Sequence, residues 1–127
     1  AATDFEEYRE VNELILQGRK LGSDVLIAEA QDSKCYDTVV ISKAADAMLA
    51  MSGIEASFVL AKNTQGFISI SARSRSKLNV QRIMEELGGG GHFNLAAAQI
   101  KDSTLSEAGE KLTEIVLNEI KEKEKEE

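Results

Sequence analysis

One cysteine, one histidine and no proline occur in this 127-residue chain. Cys35, being alone, cannot close an intrachain disulfide or build a zinc cluster. A reducing, cytoplasmic setting is the simplest fit to that usage, and Cys35 is given no chemical role, because only Lys34 stands nearby to lower its pKa. His92 has no second histidine to share a metal or to form a catalytic pair. It is therefore expected to act as a hydrogen-bond donor or cation, not as a whole active site. No run of twenty apolar residues and no signal peptide is present, which leaves no membrane span to place. The chain opens Ala1-Ala2-Thr3 without an initiator methionine, so it is expected to be part of something longer. No internal repeat and no low-complexity linker divides it. At 43% hydrophobic and 29% charged residues, it has the size and composition of one domain with a real core.

The net charge of −7 argues against broad binding to nucleic acid. The charge is uneven. Residues 1–59 carry five Lys/Arg against eleven Asp/Glu, and residues 93–127 carry five against nine. Between them, residues 60–92 hold Lys62, Arg73, Arg75, Lys77 and Arg82 against only Glu85 and Glu86. A local cationic block in an acidic chain suggests a small anionic ligand more than a long polyanion; chance clustering of solvated side chains is the alternative.

Taken in order, Thr3 to about Gly18 reads as a helix, with Thr3 and Glu6 as a capping box and Phe5, Tyr8, Val11, Leu14 and Ile15 at helical spacing. Gly18 and Gly22 end it. Asp24–Gln31 is a short, β-branched apolar strand. A second helix spans about Asp37–Met51 and buries Val40, Ala44, Ala47, Met48 and Met51. Ile54–Lys62 and Phe67–Arg73 form a hairpin around Asn63-Thr64-Gln65-Gly66. In its second strand Ile68, Ile70 and Ala72 share one face, and Ser69, Ser71 and Arg73 the other. Asn79 caps a helix carrying Val80, Ile83, Met84 and Leu87. Phe93–Ile100 is a last strand. Thr104 and Glu107 open a long amphipathic helix through Leu105, Ala108, Leu112, Ile115, Val116 and Ile120, whose charged tail from Lys121 frays. The fold class is thus α/β: a single domain with a mixed, mainly four- to five-stranded sheet flanked by helices.

The stretch Gly88-Gly89-Gly90-Gly91-His92 carries the functional reading. Glycine reaches positive φ freely and lets backbone N–H groups approach an anion, and ordering four in a row costs entropy that packing or a ligand must recover. With Arg73 suited to bidentate phosphate binding and Ser74 adding a hydroxyl, the loop is a candidate phosphate site. Two alternatives stay open: a glycine hinge with a structural histidine, and an Arg73 that merely caps its strand.

Arg73-Ser74, then Asn79-Val80, a short helix, Gly88–His92 and Ala96-Ala97 together resemble the DHH-associated domain, the carboxy-terminal half of DHH-family phosphoesterases. The resemblance covers nearly the whole chain, and residues 1–127 are read as one such domain. A similar domain also ends alanyl-tRNA synthetases. The resemblance implies a preceding DHH domain that holds two manganese ions and forms a cleft with this substrate-binding domain. No Asp-His-His triplet exists here, so this part has no metal ligands and no catalytic residue of its own. By resemblance, His92 and the backbone of Gly88, Gly89, Gly90 and Gly91 bind a substrate phosphate, supported by Arg73 and Ser74. Oligoribonuclease-type members usually continue with His-Pro and Ala-Ala-Gly. Here the motif reads His92-Phe93-Asn94-Leu95-Ala96-Ala97-Ala98-Gln99, which looks more like the membrane-anchored cyclic-di-AMP phosphodiesterases of Gram-positive bacteria.

The leading expectation is therefore the cytoplasmic, substrate-binding end of such an enzyme, with the DHH domain and a cyclic dinucleotide as partners. Long nucleic acid and direct membrane contact are not expected. A linear oligoribonucleotide or phosphate-ester hydrolase is the alternative within the superfamily. A noncatalytic dimerisation or interaction domain, using a sheet edge or the long helix, is the alternative outside it.

Overall fold

A computed structural model describes residues 4–126, and the cap expected at Thr3 lies outside them. Helix α1 (Phe5–Ile15) is capped by Asp4, whose carboxylate accepts from the Glu7 N–H at 2.7 Å and so satisfies one of the amides a helix start leaves unpaired. It stops before Gly18. Gly18–Leu21 is instead strand β1, antiparallel to β2 (Val25–Glu29) from Gly18↔Ala28 to Leu21↔Val25. Gly22 takes the positive φ of 69° in the turn between them. Helix α2 (Thr38–Leu49) starts at Asp37, which accepts from the Val39 N–H. Then come β3 (Ala56–Lys62), β4 (Ile68–Ser74), α3 (Val80–Glu85), β5 (Gly90–Gly91), β6 (Leu95–Ile100) and α4 (Leu105–Glu126).

The sheet order is β1-β2-β3-β4-β6-β5. Only β2 and β3 run parallel, joined through α2, and every other pair is antiparallel. The expected mixed α/β sheet is present, with six strands instead of four to five. Both additional strands are edges, four and two residues long.

Helices α3 and α4 cover one face of the sheet, where Ile27, Phe58, Leu60, Ile70, Ile83, Met84 and Leu112 close the larger core. On the opposite face α1 and α2 enclose Leu14, Ala28, Ile41, Ala45, Met48 and Val59. Strands β3 and β4 are therefore buried on both sides. The alternation along β4 holds, since Ile68, Ile70 and Ala72 join the larger core. Ser69, Ser71 and Arg73 turn to the α2 side, yet they too are buried, not solvated. Their polar atoms are satisfied within the fold: the Asn63 amide donates to Ser69 Oγ at 3.0 Å, and Ser42 and Ser71 hydroxyls lie 3.3 Å apart. Helix α2 packs on β3 and β4. Beyond it Leu95, Ala97 and Gln99 of β6 are exposed, while Ala96 and Ala98 are buried on the other face.

Three details depart from expectation. Met51 is exposed because α2 ends at Leu49. Leu14 is buried and Val11 and Ile15 pack beside it, but Phe5 and Tyr8 stand clear of the core. Helix α4 does not fray at Lys121 but runs to Glu126, with Lys123–Glu126 and Glu122–Lys125 pairs along its end. No helix among the described residues is long and apolar enough to cross a membrane.

Helix α1 is tied to the β2–α2 connection by Glu13, which accepts from Lys34 Nζ and the Tyr36 hydroxyl, both at 2.9 Å. The bonds from Lys34 and then Tyr36 lower the Glu13 pKa. Burial, then the bond to Glu13, pushes the Tyr36 phenol up from 10.0 to about 12. The unfolded chain thus loses this proton first, and stability falls as pH rises from 10.0 to about 12. Lys34, raised chiefly by the same Glu13, contributes in the same direction as it loses its charge. Urea melts at pH 9 and 11, as test conditions on the order of one unit either side of the phenol's ordinary pKa, should show the loss in the natural chain and a smaller loss in Tyr36→Phe. An equal loss in both would remove Tyr36 from the account.

Candidate functional site

Register brings Arg73 and His92 to one face of the sheet. Arg73 on β4 lies opposite Leu95 on β6. Leu95 in turn exchanges backbone hydrogen bonds with His92, N–H to carbonyl, at 2.8 and 3.3 Å. Directly opposed residues in a sheet point their side chains to the same side. Arg73, Leu95 and His92 therefore form one row, and two residues along the strands Ser71, Ala97 and Gly90 form a second on the same side. Two strand spacings separate the backbones of Arg73 and His92 by roughly 10 Å, with the Leu95 side chain standing between them on the same face. This is the face left bare beyond α2: Leu95 is 53% exposed, and His92 and Ala97 are exposed beside it.

Ser74 is not part of that surface. As the residue next to Arg73 it faces the other way, and its buried hydroxyl donates to the Phe93 carbonyl at 3.1 Å. The Asn94 amide donates to the carbonyls of Ser74 and Arg75 at 3.2 and 2.6 Å. Together they hold the β5–β6 turn against the end of β4, and so fix where His92 stands.

The four glycines have separate duties. Gly88, with φ 83°, ends α3: its N–H donates to the Glu85 carbonyl, and that of Gly89 to Met84 at 2.8 Å, a closure that left-handed glycine permits. Gly89 and Gly91 lie flat against β6. A Cβ on Gly89 would meet the Ala97 oxygen at 2.1 Å, and one on Gly91 would meet the Ala96 Cα at 2.5 Å. Gly90 is different. It has no positive φ, and a Cβ there would find nothing within 4 Å. The chain's own packing explains three glycines and leaves the fourth facing open space on the Arg73–His92 side.

The cationic block does not converge. Lys62, at the far end of β3, pairs with Asp32 at 3.3 Å, and Arg82 approaches Glu119 at 3.7 Å. Arg75 donates to the carbonyls of Ile54 and Leu49 at 2.9 and 2.7 Å, closing the end of α2. The 76–78 turn is occupied by the chain itself: buried Glu55 accepts from the N–H groups of Ser76, Lys77 and Leu78. Of the five, Arg73 stands in the row that leads to the bare face, and it is buried and clamped. Its Nε donates to Asp46 Oδ1 of α2 at 2.7 Å and its Nη1 to the Ala72 carbonyl at 3.0 Å. Asp46 was not singled out in the sequence, where its place one helical turn after Ser42 on an alanine-rich helix is the sole mark it carries.

The DHHA1 domain model matches residues 22–123, and the chain belongs to that family. It is 47% identical over 92 residues to the cyclic-di-AMP phosphodiesterase GdpP of Geobacillus thermodenitrificans, an alignment covering 72% of this chain and 14% of that protein. It is 49% identical over 86 residues to the cyclic-di-AMP phosphodiesterase PdeA of Listeria monocytogenes, covering 68% of this chain and 13% of that one. The chain thus spans about one seventh of the length of these curated relatives. An exopolyphosphatase-related protein from Bacteroides fragilis shares the fold with a TM-score of 0.70 at 19% identity, over 89% of this chain and 35% of that one.

Proposed function

We propose that this domain is the substrate-binding part of a cyclic-di-AMP phosphodiesterase and that a substrate phosphate sits between Arg73 and His92. The observation that carries the reading is the single row Arg73–Leu95–His92, in which Leu95 and His92 are exposed and Arg73 is buried under the margin of α2. An arginine supplies charged, directional donors to phosphate oxygens, and an exposed imidazole opposite adds another. Gly90, in the neighbouring row, leaves room for the ligand to approach the backbone. The glycines thus serve the site mainly by letting β5 lie flat on β6 and deliver His92. Identity near one half to two cyclic-di-AMP phosphodiesterases supports this substrate over a linear one.

The hydrolytic step belongs, in this proposal, to a DHH domain elsewhere in a longer, membrane-anchored protein, with this domain on its cytoplasmic side. The manganese ions implied by the resemblance have no fit here: among the described residues no three His, Cys, Asp or Glu side chains gather as a metal site. What this chain supplies is grip and orientation across a cleft. Half a cleft leaves much of a dinucleotide wet, so the isolated domain should bind cyclic-di-AMP weakly and the longer protein much more tightly. The isolated domain should also hydrolyse no phosphodiester when Mn²⁺ is added, because its described residues gather no metal site. Calorimetry and a product assay on rigorously pure protein test both points. Steady turnover would overturn this division of labour, and undetectable binding by both proteins would overturn the site.

A further inference from the structure

We infer that Asp46 is a positioning residue: it sets the direction in which Arg73 presents its guanidinium to the substrate phosphate. The inference rests on the phosphate site proposed above and extends it to a residue on another element. Arg73 is 8% exposed, and a cation that deep needs a partner. Asp46 provides it at 2.7 Å through Nε, while the Ala72 carbonyl takes Nη1. Nη2 has no such bond. No fully buried side-chain nitrogen or oxygen among the described residues lacks a partner, so Nη2, which makes no such bond, is not sealed from solvent. The clamp takes Nε and Nη1, one donor from each edge of the planar guanidinium, and leaves Nη2 as the donor for an anion.

The surroundings make the direction specific. Ser42 lies one turn before Asp46 on α2, and its hydroxyl is 3.3 Å from that of Ser71, two residues before Arg73 on β4. This polar seam runs along the margin of α2, where the buried sheet gives way to bare β6. Asp46 itself is largely in water, its side chain 63% exposed against 10% for Arg73. The pair is one-sided: Asp46 could be served by water, whereas Arg73 could not, so the contact supports the fold through Arg73. Fixing a buried guanidinium beside an open face is a second use of the same contact, because a ligand then finds the donors already oriented.

The test is a double-mutant cycle on the 127-residue chain, read as the dissociation constant for cyclic-di-AMP from NMR titration. Asp46→Ala should weaken binding roughly three- to tenfold, and Arg73→Ala more. The doubly substituted chain should bind no more weakly than Arg73→Ala alone, since Asp46 acts only through Arg73. Asp46→Asn, which keeps an oxygen for Nε–H, should recover most of the affinity, and it also serves where the alanine variant fails to fold. A purely structural Asp46 would lower the melting temperature and leave the affinity of the folded protein unchanged. That result, or additive losses in the cycle, overturns the positioning role while leaving the phosphate site standing. Unchanged binding in Arg73→Ala, or undetectable binding both by the unsubstituted chain and by the longer protein, overturns both.

Discussion

Arg73→Ala is expected to weaken cyclic-di-AMP binding by about 1.5–3 kcal/mol, the worth of a hydrogen bond to a charged group, with the fold retained. The second half of that expectation follows from the asymmetry of its ion pair. Removing Asp46 strands a buried cation, whereas removing Arg73 leaves a carboxylate already 63% exposed in water, where it needs no partner. Affinity should fall with ionic strength in the natural chain, because charges at the edge of a bare face are screened over about 10 Å at 0.1 M salt. In the variant the salt dependence should flatten as well, which separates loss of the cation from a general distortion of the surface. Calorimetric titrations at several salt concentrations, with circular dichroism on the same samples, measure both effects. Equal affinity and equal salt slopes in the two proteins would move the phosphate away from this row.

The elements that the sequence made legible are those with a side-chain pattern. Ile68, Ile70 and Ala72 face the larger core as their period of two requires. Asn79 caps α3 by accepting from the Arg82 N–H, and Thr104 accepts from the Glu107 N–H at the start of α4, as their residue types suggested. Strands β1 and β5 carry no such signal. Gly18–Leu21 is an edge of mostly exposed residues, and Gly90-Gly91 has no side chains to alternate. Both exist because a neighbouring strand offers backbone partners, which no local pattern announces.

Within the site, the same period of two already contained a correction. Placing Ser71 and Arg73 on one face puts Ser74 on the other, so adjacency in sequence is the reason the two side chains cannot share a surface. The cationic block failed for a related reason. Residues 60–92 run through a strand end, a hairpin, a second strand, a turn and a helix, so five charges close in sequence are spread across the molecule, four of them engaged elsewhere or facing away. The pairing of Arg73 with Asp46 crosses 27 positions and depends on how α2 lies over β4, which is set by packing of Ile41, Ala45 and Met48 and not by any motif.

Gly90→Val in the longer, catalytically competent protein is expected to lower turnover by roughly two orders of magnitude, the scale on which a small misplacement of substrate acts, while leaving the fold intact. The distinction among the glycines makes this a sharp test. Gly89→Ala must push a methyl into the Ala97 carbonyl, and Gly91→Ala must push one into the Ala96 backbone from a φ of 145°; both should lower stability, by about 1–3 kcal/mol or more, and any loss of activity would be ambiguous. At Gly90 neither obstacle exists, since φ is not positive and the space beside it is open. Valine is at home in a strand, so the side chain should stand out beside Ala97 at the open edge, in the row next to that of Arg73, Leu95 and His92. A bulky, branched group there costs the protein nothing and the substrate its approach to the backbone. Thermal melts by circular dichroism should therefore coincide for Gly90→Val and the natural protein, with kinetics separating them. Coincident melts and unchanged turnover would mean that nothing docks against Gly90, and the binding face would have to be sought on another side of the sheet.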